Sequence, residues 1–179
     1  MNRTLTLFAI LAACSTPIAA VAQDPPNAAP ERATVIDAAK DVMQAARYCA
    51  LITIGPDGFS QARTVDAFAP EDDLTVWIGT NRVTRKVGEI RANPRVTLYY
   101  FDAAGMNYVT LLGTAEVVDE PAMKAKYWKE DWASFYEDRN RGDDYVLIRV
   151  RPVRLEIVSY THNLINDPQT WRPITIEFP

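Results

Sequence analysis

Between residues 49 and 160 the chain is a run of short alternating segments broken by turn residues, with no alternation of strand and long helix. Apolar positions at period two mark half-buried strands, and strands joined by tight turns pair antiparallel, because a parallel crossover needs a dozen or more residues. Residues 49–54, the turn Gly55-Pro56-Asp57-Gly58 and residues 59–68 read as a β-hairpin. The turn Pro70-Glu71-Asp72-Asp73 leads into a strand over 74–79. After a short helix come strands at 95–101 and 108–118, joined by Asp102-Ala103-Ala104-Gly105. An acidic, aromatic helical stretch over 121–137 then precedes one long strand over 145–160, interrupted at Pro152. Many short strands with few short helices predict a mainly β protein, a closed antiparallel barrel rather than a doubly wound sheet.

Ahead of the strands, Val35, Ile36, Ala39, Val42, Met43 and Ala46 recur at helical spacing from Thr34 and predict an amphipathic helix ending near Arg47, packed on one end of the barrel. Residues 23–33, rich in Pro and Ala without apolar period, read as a flexible tether, so the domain is expected over 34–179. Residues 1–22 read as a leader: Arg3 precedes an apolar run over 5–13 that is too short for a permanent membrane span. Cleavage after Ala20-Val21-Ala22 would give a periplasmic or secreted protein. Cleavage at Leu11-Ala12-Ala13-Cys14, which looks like a lipobox, would give a lipid-anchored one through Cys14. Either way no integral membrane span is expected after processing. The leader carries a single Arg where a twin-Arg signal would have a pair, which predicts export of an unfolded, cofactor-free chain.

Charge and composition narrow the chemistry. A net charge of -4 gives nucleic acid no global positive field to bind. With one histidine, His162, and two cysteines, Cys14 and Cys49, no zinc site of the usual Cys/His kind can form in one chain. Cys49 reads as a small buried hydrophobe without a disulfide partner in the domain. His162 reads as a satisfied structural or surface residue, against catalysis or haem ligation. Tyr127, Trp128, Trp132, Phe135 and Tyr136 read as core or dimer contact, against a wall for stacking substrate.

Candidate chemistry gathers where a strand ends and a short helix starts, from Thr80 to Ile90. Thr84 suits an N-cap or first-turn position, and a helix N-terminus offers unpaired N–H groups at the positive end of its dipole. Arg85 and Lys86 add fixed charge, and Arg63 lies on a strand able to run beside them. These are the ingredients of a phosphate pocket, although a solvated basic helix is the alternative.

The segments Arg63-Thr64-Val65, Thr80-Asn81-x-x-Thr84-Arg85-Lys86, Ala92-Asn93-Pro94-Arg95-Val96 and Leu112-Gly113-Thr114-Ala115-Glu116-Val117, in this order, resemble the core of the pyridoxamine 5'-phosphate oxidase-like family of FMN-binding split barrels and general stress proteins. The resemblance implies a split β-barrel and a homodimer with two flavins at its interface. It also implies that Arg63, Thr80, Thr84, Arg85 and Lys86 hold the phosphate and ribityl chain of FMN, with backbone around Thr64, Val65 and Ile78 lining the flavin ring. Tyr108 falls where the oxidases carry a flavin-contacting glutamine, and for their substrate-binding arginine and histidine only Arg172 and His162 are candidates. Trp171 reads as a ring over the barrel mouth.

The function implied is that of an exported FMN-binding redox protein acting on a small molecule, with the flavin carrying the chemistry and no catalytic side chain named. Non-catalytic binding of a flavin or haem, and a deazaflavin-dependent reductase, stand as alternatives.

Overall fold

A computed structural model of the chain describes residues 30–136 and 142–179. The expected leader with Cys14, most of the tether, and Glu137 lie outside the described residues.

Helix α1 (Arg32–Ala46) buries one stripe, Val35, Ala38, Ala39, Val42 and Met43, and the chain leaves it at Arg47 with φ 59°. It starts two residues before the expected boundary because Arg32 is anchored. The Arg32 Nη1 donates to the Glu177 carbonyl at 2.9 Å, and its guanidinium lies 4.9 Å from the Phe178 ring centre.

Strand β1 (Tyr48–Ile54) pairs with β2 (Ser60–Asp66) as the predicted hairpin. Gly58 takes φ 81°, a turn conformation open to glycine, and Asp57 Oδ1 accepts from the Phe59 N–H at 3.1 Å. There follow β3 (Val76–Asn81), α2 (Arg85–Ala92), β4 (Arg95–Asp102), β5 (Asn107–Val118), α3 (Pro121–Lys126), a 3₁₀ turn (Glu130–Ser134), β6 (Tyr145–Val158) and β7 (Ile174–Glu177). The helix expected over 121–137 is therefore two pieces. Between them Tyr127 stacks on Trp77, ring centres 4.6 Å apart, and its hydroxyl donates to Glu71 at 2.5 Å. These contacts outweigh the helical preference of the segment. The predicted strand interruption at Pro152 is a change of register between β5 and β6, where Leu112 pairs with Arg154 and Gly113 with Pro152, leaving Val153 as the extra residue. Strand β7 was not expected.

The sheet runs β2-β1-β4-β5-β6-β3, with every described pairing antiparallel, and β7 adds to β6. Strands β3 and β7 take the same strand β6 in succession, β3 along Tyr145–Val150 and β7 along Arg154–Ile157. The end strands β2 and β3 curl back to one another through a single Ala67–Ile78 bridge and a 2.9 Å bond from the Phe68 N–H to the Trp77 carbonyl. The result is an antiparallel barrel left open along most of the β2/β3 seam, the split barrel that the resemblance implies and not the closed one expected from the strand pattern, because one bridge is all that joins the two end strands among the described residues.

Two apolar clusters follow from the strand alternation. Inward residues such as Leu51, Ile78, Leu98, Leu111, Ile148 and Leu155 fill the barrel, and α1 seals one end. Each fully buried leucine or isoleucine contributes about 1.5–3 kcal/mol relative to exposure. Outside the barrel wall, Trp77, Tyr145 and Leu147 are covered by Tyr127 and Trp132 in a second cluster. Cys49 is buried and its thiol is pushed up to about 11, foremost by burial. Trp171 is exposed, so it does not cover the barrel mouth as expected.

Candidate functional site

The turn between β3 and α2 is fixed by its own side chains. Asn81 Oδ1 accepts from the Val83 N–H at 3.0 Å, and its carbonyl accepts from the Thr84 hydroxyl at 2.8 Å and from the Thr84 N–H at 3.1 Å. Arg82 anchors the outer side of the loop, 2.7 Å from Asp119 Oδ2. With its hydroxyl turned to Asn81 and 3.2 Å from Thr80 Oγ1, Thr84 occupies the N-cap position without capping the helix by its side chain. The dipole end of α2 therefore stays available to an anion. Asn93 and Pro94 end the helix, since the residue before a proline disfavours helical backbone.

Strand β1 and helix α2 then bring together residues far apart in sequence. Thr53, Arg63 and Glu89 meet at the end of the barrel. The Thr53 hydroxyl donates to Glu89 Oε2 at 2.5 Å and accepts from Arg63 Nη1 at 2.5 Å, while Arg63 Nη2 lies 2.8 Å from the same Oε2. Arg85 Nε lies 2.8 Å from Glu89 Oε1, a charge contact one helical turn apart that lacks hydrogen-bond direction. The Glu89 side chain is 3% exposed and that of Arg63 19%. Burial pushes the Glu89 carboxyl up, but the Thr53 and Arg63 hydrogen bonds and the Arg63 and Arg85 charges outweigh it and hold the group below its ordinary value. Lys86 makes no ion pair with the described residues. Burial foremost, then the Arg63 charge, lowers its pKa, against the opposing pull of Glu89.

Of the expected site residues, Arg63 and Arg85 meet on Glu89, Lys86 feels the Arg63 charge, and Thr80 and Thr84 meet each other at the turn that starts α2. Thr64, Val65 and Ile78 border the open seam, but differently from one another. Thr64 points outward and is exposed, whereas Val65 and Ile78 send their side chains into the barrel and offer only backbone to the seam. Tyr108 stands apart. It lies on β5, opposite Phe101 and Val158 and 5.9 Å from the Tyr99 ring, with its hydroxyl pKa raised first by burial and then by Tyr99, Glu156 and Tyr160. Two strands, β1 and β4, lie between β5 and β2.

His162 has both ring nitrogens engaged: Nδ1 lies 2.8 Å from the Ser159 hydroxyl and Nε2 3.1 Å from Asp41 Oδ2. It ties the loop after β6 to α1, in keeping with the structural reading. In the aromatic group, Tyr127 and Trp132 are buried, while Phe135 is exposed.

Thr53 and Glu89 were absent from the expected site. The spacing of Arg85 and Glu89 on a helix was a visible signal for Glu89. Thr53 had none, because its role depends on which strand α2 covers.

Beside the cluster, Ile54, Gly55, Pro56, Arg85, Gly88 and Glu89 line a hollow of about 340 Å³. Ile54 and Asn93 connect it to a larger groove of about 530 Å³ on the outer sheet face, floored by Ile52, Thr97, Leu112 and Val153. Positive groups beside an uncapped helix start suit the phosphate end of a ligand.

The family model described as Pyridoxamine 5'-phosphate oxidase matches residues 35–159, more than two thirds of the chain. The chain is 24% identical to General stress protein 26 of Bacillus subtilis (strain 168) over 91 residues, 49% of this chain and 64% of that protein, so the match spans less than two thirds of the relative. A solved protein from Clostridium acetobutylicum, described as related to general stress protein 26, superposes with a TM-score of 0.68 at 17% identity, over 83% of this chain and 97% of the other. A pyridoxamine 5'-phosphate oxidase-related, FMN binding protein from Nostoc punctiforme superposes with a TM-score of 0.58 at 15% identity, over 85% and 98% of the two chains. The two superpositions establish likeness of fold, and the sequence model over 35–159 establishes descent: this chain belongs to the pyridoxamine 5'-phosphate oxidase family.

Proposed function

We propose that this protein is an exported, FMN-binding redox protein that works as a homodimer on a small molecule. The observation that carries the reading is the meeting of Arg63 and Arg85 on Glu89, with Lys86 under the Arg63 charge, on a helix whose start has no side-chain cap. Arg85 and Lys86 would hold the terminal phosphate of the flavin, with Thr80, Thr84 and the first N–H groups of α2 completing the cradle and Arg63 behind them. Main chain at Thr64, Val65 and Ile78 would border the ring. Bound there, the flavin supplies hydride or electron transfer between a small exogenous reductant and an acceptor. The protein's own residues bind the phosphate, orient the ring and limit the access of water.

The homodimer is supported by the outer sheet face, where Val153 is exposed in the apolar groove and Tyr48, Tyr99 and Phe101 are exposed further along strands β1 and β4. Tyr108 lies on that face, so it would meet a flavin only across such an interface. Export is supported by the leader read in the sequence. Among the described residues no helix is long and apolar enough to cross a membrane. Flavin is favoured over haem because His162, the only imidazole, has both nitrogens engaged. A deazaflavin would use the same phosphate donors, and a binding protein without turnover would share the whole site.

The test is titration of the purified protein with FMN, a deazaflavin and haem, followed by absorbance. Saturable uptake of FMN with its yellow bands is the expected result. A folded protein that takes up none of the three would sink the proposal.

A further inference from the structure

The anion site contains an anion of its own. Glu89 is almost fully buried, yet its carboxylate is held at 2.8 Å by both Arg63 and Arg85 and receives the Thr53 hydroxyl at 2.5 Å. A carboxylate with these partners meets the arginines much as a phosphate oxygen would. A site meant only to collect phosphate has no need of a buried negative charge among its cations. Three cations, Arg63, Arg85 and Lys86, against one carboxylate leave a surplus that a phosphate monoester, about -1.5 to -2 near neutral pH, would close.

Without Glu89, the largely buried Arg63 guanidinium would face Lys86 uncompensated, and removing one partner of a buried pair is strongly destabilising. Glu89 therefore stabilises the cofactor-free protein more than a protein whose arginines already face a phosphate. By linkage, whatever favours the free state weakens the ligand.

We propose that Glu89 is an internal counter-ion of the anion site: it neutralises Arg63 and Arg85 while the site is free, shares them with the arriving phosphate, and so limits the preference for a phosphorylated flavin over an unphosphorylated one. This rests on reading the cluster as the phosphate end of a flavin site. Glu89 acts through the arginines and is a positioning residue, not a catalytic one.

The experiment compares FMN with riboflavin, which lacks the phosphate, on wild type and Glu89→Gln. The variant is expected to melt at a lower temperature without ligand and to bind FMN about tenfold more tightly, the equivalent of one net hydrogen bond to a charged group, with riboflavin affinity unchanged. Glu89→Asp keeps the charge one methylene further back; it is expected to shift the FMN-to-riboflavin ratio the same way by less, and it carries the test if Glu89→Gln does not fold. Wild type that prefers FMN, with variants that prefer it no more strongly, overturns the role of Glu89 alone. If wild type binds FMN no better than riboflavin, the phosphate reading fails and this proposal falls with it.

Discussion

The indole of Trp132 lies so close over Gly79 that a Cβ at that position would collide with the ring. Gly79 sits between Ile78 and Thr80, two residues of the candidate site, so the outer aromatic cluster braces the strand leading into the turn between β3 and α2. Gly79→Ala should force Trp132 outward and cost about 1–3 kcal/mol of stability, the usual penalty for overpacking. Denaturant unfolding with tryptophan fluorescence checks this; unchanged stability with an unchanged emission maximum would contradict the packing described.

Lys86 is half-buried, faces the charge of Arg63 and makes no ion pair with the described residues, so its ammonium adds little to the stability of the free fold. Lys86→Ala should weaken FMN by about ten- to a hundredfold, the range for a lost hydrogen bond to a charged group, while leaving the melting temperature of the free protein at or above that of wild type. Unaltered FMN affinity would remove Lys86 from the site.

Acid should act on the Arg63–Glu89 pair in a defined sense. The Glu89 carboxyl titrates lower in the fold than in the unfolded chain, so its stabilising contribution is complete above the unfolded value and disappears as the pH falls through the folded one. The stability gap between wild type and Glu89→Gln should therefore be widest near neutrality and shrink below about pH 4, under the ordinary glutamate value. Chemical unfolding at a series of pH values measures the gap, and one that stays constant on acidification would count against the pairing.

The groove on the outer sheet face leads to a fourth substitution. Val153, the extra residue of the β6 bulge, is exposed there beside Ile52 and Leu112. Placing a carboxylate in this groove with Val153→Glu should leave the barrel folded and, for the homodimer proposed above, shift sedimentation from dimer to monomer. A variant that still sediments as a dimer would locate the interface elsewhere.

Much of this was legible in the sequence where the cause is local. The Gly55-Pro56-Asp57-Gly58 turn identifies its hairpin because Gly58 and Asp57 specify the geometry themselves. The same holds for the start of α2, which follows a turn held by Asn81, with Thr84 at the expected N-cap position although its side chain does not cap the helix. Where the cause is distant the reading failed. Tyr127 leaves the helix to stack on Trp77, fifty positions upstream, and β7 is four residues long with no alternation strong enough to announce it. At the site, the cations stood out as a cluster on one turn. Their carboxylate partner was hidden, because Thr53, Arg63 and Glu89 meet only once β1, β2 and α2 have taken their places.

Closing a barrel through one bridge also determines where it is softest. Between β2 and β3 the Ala67–Ile78 bridge and the Phe68 N–H bond to the Trp77 carbonyl are the described ties, whereas each of the other seams around the barrel is a ladder of paired residues. Parting this seam breaks far fewer bonds than parting any other, so amide protons along it should exchange with solvent soonest. Compliance is thus concentrated along the border of the candidate site, and a rigid planar ligand lying there would act as a splint, slowing exchange at Ala67 and Phe68 while the far wall of the barrel stays as it was.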